Sequence, residues 1–179
     1  MERVEKVKQI VRKTLENSST QSLAHKWDHI DRVCRTALKI AEKYSDVNTE
    51  ILHLAALLHD IGQPFNNKKE HARLSAEKAA KILADVGYSD GVIENVCKII
   101  LEHSSENELE RNKFSCIESK ILFDADKING IGALGIARAF LMFGHLEKDM
   151  EECLEWYRKN VEEFFREYQK EMVLTTLND

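Results

Sequence analysis

An imidazole and a carboxylate stand side by side in Leu57-Leu58-His59-Asp60-Ile61-Gly62, at the end of an otherwise apolar run. Burying a charged carboxylate among leucines is costly unless a cation or hydrogen-bond donors compensate it. A divalent metal does this economically, because both groups are natural ligands for one. Residues of the same kind occur in three other places: His29 in Trp27-Asp28-His29-Ile30-Asp31-Arg32-Val33, the run Asp124-Ala125-Asp126-Lys127, and the two histidines His71 and His103. No short spacing such as H-E-x-x-H joins them, so a metal site would have to be assembled from several helices. Periodicity points two of the imidazoles inward. His59 continues the stripe Leu52-Ala55-Ala56, and His103 continues Val92-Val96-Ile99.

The elements that must position these groups read as helices throughout. With one proline, seven glycines and 32% charged residues in a chain rich in aliphatics and alanine, the composition favours an all-α protein. The length of 179 residues fits a single domain spanning 1–179. Helical spacing predicts helices over about 2–16, 27–44, 49–60, 71–86, 90–103, 115–126 and 129–143. Asn48 is the expected N-cap of the third, and Ser115 with Glu118 has capping-box spacing. Apolar residues recur from about 145 to 172 in steps of three and four, which predicts one long amphipathic helix. That helix packs on its own domain or, as the second reading, forms a homodimer contact. The polar stretches at about 62–70 and 104–114 are expected to be loops flanking the mouth of the site.

The net charge of −5 gives no broad basic face for nucleic acid. The first residues are charged and amphipathic and lack an apolar signal region, and no apolar run is long enough to span a bilayer. Cys34, Cys97, Cys116 and Cys153 are widely spaced, as expected of reduced thiols in a cytoplasmic protein.

Taken in order, His29, His59-Asp60 and Asp126 spell H…HD…D. The chain thereby resembles the HD-domain superfamily of metal-dependent phosphohydrolases, and in particular its small single-domain members. The neighbouring residues carry the likeness too: DHIDRV around His29, LLHDIG around the doublet, EHARLSAEKAAKIL from Glu70, and DADKINGIGALGIARAF from Asp124. These blocks span about 24–140. The resemblance implies a helical bundle with a central divalent metal held by His29, His59, Asp60 and Asp126. It also implies hydrolysis of a phosphoanhydride or phosphomonoester bond of a small phosphorylated substrate, a nucleotide. The metal would acidify water into a nucleophile and take up charge on the phosphoryl oxygens. The mixed N/O set suits manganese, iron, nickel, cobalt or zinc, with manganese favoured.

Asp124 is read as a capping or supporting carboxylate, and His25, His53 and His145 as structural or surface residues. His71 and His103 are expected at the site with Asp60, acting on the phosphate or the attacking water. Arg32, Lys127 and Arg138 are expected to hold phosphate, the arginines in bidentate fashion. The rival reading for the doublet is a buried His–Asp hydrogen bond that only stabilises the fold. Gly130-x-Gly132-x-x-Gly135 matches the dinucleotide fingerprint letter for letter, but no strand precedes it. Those glycines are read as close-packing positions. Two other functions remain open: a cyclic-nucleotide phosphodiesterase with two metals, against whose cyclic-di-GMP subclass the missing Gly-Tyr-Pro counts, and a metal- or nucleotide-binding regulatory module without turnover.

Overall fold

The computed structural model describes residues 2–17, 26–62, 70–104 and 114–159. Among these it contains eight helices and no strand: α1 (Glu2–Glu16), α2 (Trp27–Ala41), α3 (Thr49–Leu58), α4 (His71–Val86), α5 (Asp90–Glu102), α6 (Ile117–Ile128), α7 (Gly132–His145) and α8 (Met150–Tyr157). None of them is long and apolar enough to cross a membrane. All four cysteines are free thiols, Cys34 and Cys153 buried.

The sequence of α3 is apolar on nearly every side, and such a helix belongs in the middle of a core. Leu52, Leu54, Ala55, Ala56, Leu57 and Leu58 are all buried. Helices α1, α2, α5 and α6 pack directly on α3, and α4 packs mainly on α5. Val7, Val11 and Leu15 come from α1, Ile30, Val33, Ala37 and Ile40 from α2, and Val96, Ile99 and Ile100 from α5; together with Ile121 and Leu122 they close one core. The doublet follows directly from the last turn of this central helix, so the fold delivers it to the interior.

The expected cap at Asn48 is present: its Oδ1 accepts from the Ile51 amide at 3.1 Å. Gly87 ends α4 in the left-handed region at φ 88°. The capping box expected at Ser115 and Glu118 does not form. Cys116 is the N-cap of α6 and makes no side-chain cap bond. Glu118 Oε1 instead accepts from the Asn48 amide at 2.7 Å, and the Ser115 amide and hydroxyl both donate to Glu102. The two residues tie α6 to the start of α3 and the end of α5, a tertiary use that local spacing does not reveal.

The long helix expected from about 145 begins later. Helix α7 runs through His145, the chain then turns with Glu147 at φ 55°, and α8 starts at Met150 under a capping box between Asp149 and Glu152. Residues 160–172 of that expected helix lie outside the described residues, as do most of the two expected mouth loops and His25. Helices α7 and α8 pack on each other around Ala139, Met142, Phe143 and Cys153. Their link to the main core runs through the α6–α7 turn. There the Tyr157 hydroxyl donates to the Gly130 carbonyl at 3.2 Å. A Cβ on Gly135 would fall 2.2 Å from the Gly130 carbonyl carbon and oxygen, so this glycine is a close-packing position, as the sequence indicated.

Candidate metal centre

Five helix ends converge on one interior point. His59 is the C-cap of α3, His103 is the C-cap of α5, and Asp126 lies in the last turn of α6. Helix C-termini carry partial negative charge and favour a cation. His29 is in the first turn of α2, and His71 is the first residue of α4. These N-termini favour an anion. The backbone alone therefore prepares the place for a cation with an anion beside it.

The side chains form two groups that meet at Asp60. In the first, His29 Nε2 lies 3.4 Å from His59 Nε2, 3.5 Å from Asp60 Oδ2 and 3.4 Å from Asp126 Oδ1. His59 Nε2 is 3.5 Å from the same Asp60 oxygen and 4.0 Å from Asp126 Oδ1. Ligands about 2.0–2.2 Å from a metal lie roughly 3.0–3.5 Å from one another in tetrahedral or octahedral geometry. The four atoms sit close to that spacing, slightly opened. In the second group, His103 Nε2 is 3.8 Å from Asp60 Oδ1. The His71 ring stands edge-on to His103 with centroids 5.2 Å apart. One ligand atom each from Asp60, His71 and His103 lies within 4.8 Å of the others. Thus Oδ2 of Asp60 faces the first group and Oδ1 the second.

The tautomers suit ligation. A carbonyl can only accept, so His59 Nδ1–H donates to the Ala56 carbonyl at 2.8 Å, and His103 Nδ1–H donates to the Ile100 carbonyl. Each ring is thereby locked with its Nε2 lone pair turned into the site, the support that metal-binding histidines ordinarily have. Burial pushes the His59 pKa down to about 4, although Asp60 opposes the shift, so the ring is neutral at pH 7. Burial would raise the Asp126 carboxyl, but Lys127 and His29 hold it well below the usual range. His59 and Asp126 are thus already in the forms that bind a cation.

The sign of these shifts makes stability depend on pH. With its folded pKa lowered below the ordinary 6.5, neutral His59 contributes stability in full above that value. The contribution falls as pH drops from 6.5 to about 4, and in the metal-free protein it amounts to roughly 3 kcal/mol. His53, whose pKa is lowered mainly by burial, acts in the same direction. Melting in chelator should therefore move to lower temperature between pH 6.5 and pH 4. A flat melting temperature over that range would contradict the assignment of a neutral, buried His59.

Of the basic residues, Lys127 donates from Nζ to Asp126 Oδ2 at 3.0 Å, which leaves Oδ1 turned to His29. Arg32 and Arg138 both reach a residue that sequence reading passed over. Arg32 Nε donates to Asn129 Oδ1 and Arg138 Nη1 to the Asn129 carbonyl, each at 3.0 Å. Asn129 is neutral and lies outside the H…HD…D pattern, so its residue type gave no signal in the sequence. Asp124 is buried in α6.

Comparison with known proteins places the sequence and fold among relatives. The sequence model of the family described as HD domain matches residues 27–130. YpgQ of Bacillus subtilis strain 168, an uncharacterised protein, is 34% identical over 126 residues. That match takes in 69% of this chain and 60% of the relative, so the chain spans less than two thirds of the relative's length. The crystal structure of B. subtilis YpgQ in complex with ADP superposes with a TM-score of 0.68 at 26% identity, covering 96% of this chain and 87% of that one. An HD-superfamily hydrolase from Bacillus thuringiensis gives a TM-score of 0.60 at 25% identity, covering 95% and 96% of the two chains.

Proposed function

This chain belongs to the HD-domain family, and from that premise we propose that it is a metal-dependent phosphohydrolase acting on a phosphate bond of a nucleotide. HD domains bind divalent metals, and His29, His59, Asp60 and Asp126 are the residues that would hold one here. The observation that carries the proposal is the pair of imidazole nitrogens, on His29 and His59, that lie 3.4–4.0 Å from each other and from an oxygen of both Asp60 and Asp126. A bound divalent ion would supply a Lewis acid for the phosphoryl oxygens and lower the pKa of water.

The chain's own residues account for the rest. His29 and His59 are almost wholly buried, so bulk water is kept from one wall of the site. Lys127 keeps Asp126 ionised and fixes which oxygen turns inward. Arg32 and Arg138 stand beside this wall, where guanidinium groups can grip phosphate oxygens. His103, with its proton on Nδ1, offers Nε2 next to Asp60 Oδ1 as an acceptor for a proton from the attacking water. Hydrolysis then adds the water oxygen to phosphorus and releases the leaving group with a proton.

That YpgQ has been crystallised with ADP supports a nucleotide as the ligand of this related chain. A second reading is favoured by one specific observation, the grouping of Asp60, His71 and His103. These residues would hold a second ion, which would supply further charge stabilisation to phosphodiesters, including cyclic nucleotides.

The deciding experiment is product analysis on a panel of nucleoside mono-, di- and triphosphates and cyclic nucleotides, with manganese-loaded protein. Release of pyrophosphate identifies attack at the α-phosphorus, and release of orthophosphate a terminal cleavage. Inactivity across the whole panel in the presence of metal would sink the enzyme reading and leave a binding module.

A further inference from the structure

We propose that Asn129 is a positioning residue, which holds the Arg32 guanidinium one helical turn from the metal ligands and so sets where a phosphate oxygen is gripped. The inference rests on the phosphohydrolase reading, since it takes the bound anion to be phosphate. Helices α2 and α6 pack side by side. Two rungs cross between them: His29 to Asp126 at 3.4 Å, and Arg32 to Asn129 at 3.0 Å. Asn48, beyond the C-terminus of α2, reaches Glu118 in the first turn of α6, so the two helices run antiparallel, and Arg32 reaches back toward the C-terminus of α6 to meet Asn129. The first rung carries metal ligands. The second carries a cation held by a neutral amide, with no carboxylate to cancel it.

The neutrality matters. A surface arginine usually ends in an ion pair, and a carboxylate in place of Asn129 would offset part of the charge. Asn129 is only 8% exposed and occupies Arg32 through Nε alone. The Nη donors of Arg32 make no hydrogen bond to any other described residue, so the flat fork is left for an anion. The backbone carbonyl of the same residue takes Arg138 Nη1, and this second guanidinium is thereby brought to the same turn. The two guanidinium groups repel each other, a repulsion that Asp126 and Asp60 offset in part at Arg138 and that an anion between the two relieves further. Asn129 therefore joins the metal rung and the anion rung in one turn of chain, the end of α6.

The test is a double-variant cycle read by binding, in full-length protein. ADP is titrated calorimetrically in the presence of chelator, so that turnover does not enter. Arg32→Ala and Asn129→Ala should each weaken ADP by about tenfold, the worth of one hydrogen bond to a charged group. If Asn129 acts through Arg32, the pair of substitutions together should still cost about tenfold and not about a hundredfold. Asn129→Asp keeps an oxygen within reach of Arg32 Nε but adds a charge that offsets the guanidinium, so it should also weaken ADP. Manganese affinity should be the same in all four variants, which a general loosening of the fold would not allow. The proposal is overturned if wild-type protein fails to bind ADP in chelator, if Asn129→Ala binds normally, if the losses multiply, or if Asn129→Asp binds ADP as well as the unaltered protein. The hydrolase reading fails separately: the binding pattern can hold while the nucleotide panel shows no turnover.

Discussion

Asp60→Ala should reduce metal-dependent hydrolysis by on the order of 10³-fold or more, because the residue serves both groups of the centre at once. Its Oδ2 lies 3.5 Å from His29 Nε2 and from His59 Nε2, and its Oδ1 lies 3.8 Å from His103 Nε2. Removing one carboxylate therefore takes an oxygen from each candidate ion. Metal content per chain should fall toward zero, while the helical circular dichroism of the chelated protein should persist, since the core of α3 is untouched. Asp60→Asn is the companion variant. It keeps the volume and one oxygen acceptor but not the charge, and it should lose most activity as well. His71→Gln gives the contrast: it touches only the second group, so it should leave one strongly bound ion if two are held and change nothing in stoichiometry if one is. More than about a tenth of wild-type activity in Asp60→Ala would show that the chemistry lies elsewhere on the chain.

Much of this centre was readable in the sequence because it was written in local terms. The doublet ends an apolar helix, and His103 ends another on the same kind of stripe. The start and stop of α1 and α4 follow from periodicity and from Gly87, whose left-handed φ only glycine adopts freely. What escaped was tertiary. Ser115 and Glu118 have the spacing of a capping box, but Glu118 is 9% exposed and finds a better partner in the Asn48 amide across the fold. The break between α7 and α8 is expected from the sequence, but with α8 starting at about 145, and it starts at Met150. Asp149 and Glu152 form a real capping box. Apolar residues at 146, 150, 153 and 154 carry the helical rhythm straight through the turn and hide that start. Asn129 carries no charge and belongs to no metal motif, so only its two arginine partners reveal it.

The convergence of helix ends also explains why a buried cluster of three imidazoles and two carboxylates is tolerable in the metal-free chain. The C-terminal turns of α3, α5 and α6 would favour protonated imidazole, and burial opposes it. Burial prevails at His59, whose pKa falls. The ring instead satisfies Nδ1 on the carbonyl of Ala56, one turn earlier in its own helix. Stability and readiness for a cation therefore come from the same hydrogen bonds. The rival reading, a His–Asp bond that serves only the fold, explains a pair but not four converging donors plus a second group sharing Asp60.

Gly62→Ala should be the most damaging substitution outside the ligands. Gly62 follows the doublet and passes so close to α4 that a Cβ would lie 2.3 Å from both the Leu74 carbonyl carbon and the Ser75 amide nitrogen. Those are backbone atoms and cannot rotate away. The contact is held by a hydrogen bond from the Gly62 amide to Ser75 Oγ at 3.0 Å, with Ser75 fully buried. Forcing α3 and α4 apart should cost about 1–3 kcal/mol or more, which for a chain of this size lowers the melting temperature by roughly 3–10 °C. The same displacement moves Asp60, on the α3 side, relative to His71, on the α4 side. An error of about 1 Å between them should cost on the order of 10²-fold in turnover. Gly91→Ala is the control. Gly91 lies in the first turn of α5 with nothing within 4 Å of an added Cβ, so alanine there should leave activity unchanged and raise stability by about 0.5 kcal/mol. If Gly62→Ala melted and turned over like the unaltered protein, the α3–α4 approach would not be what holds the two halves of the centre in register.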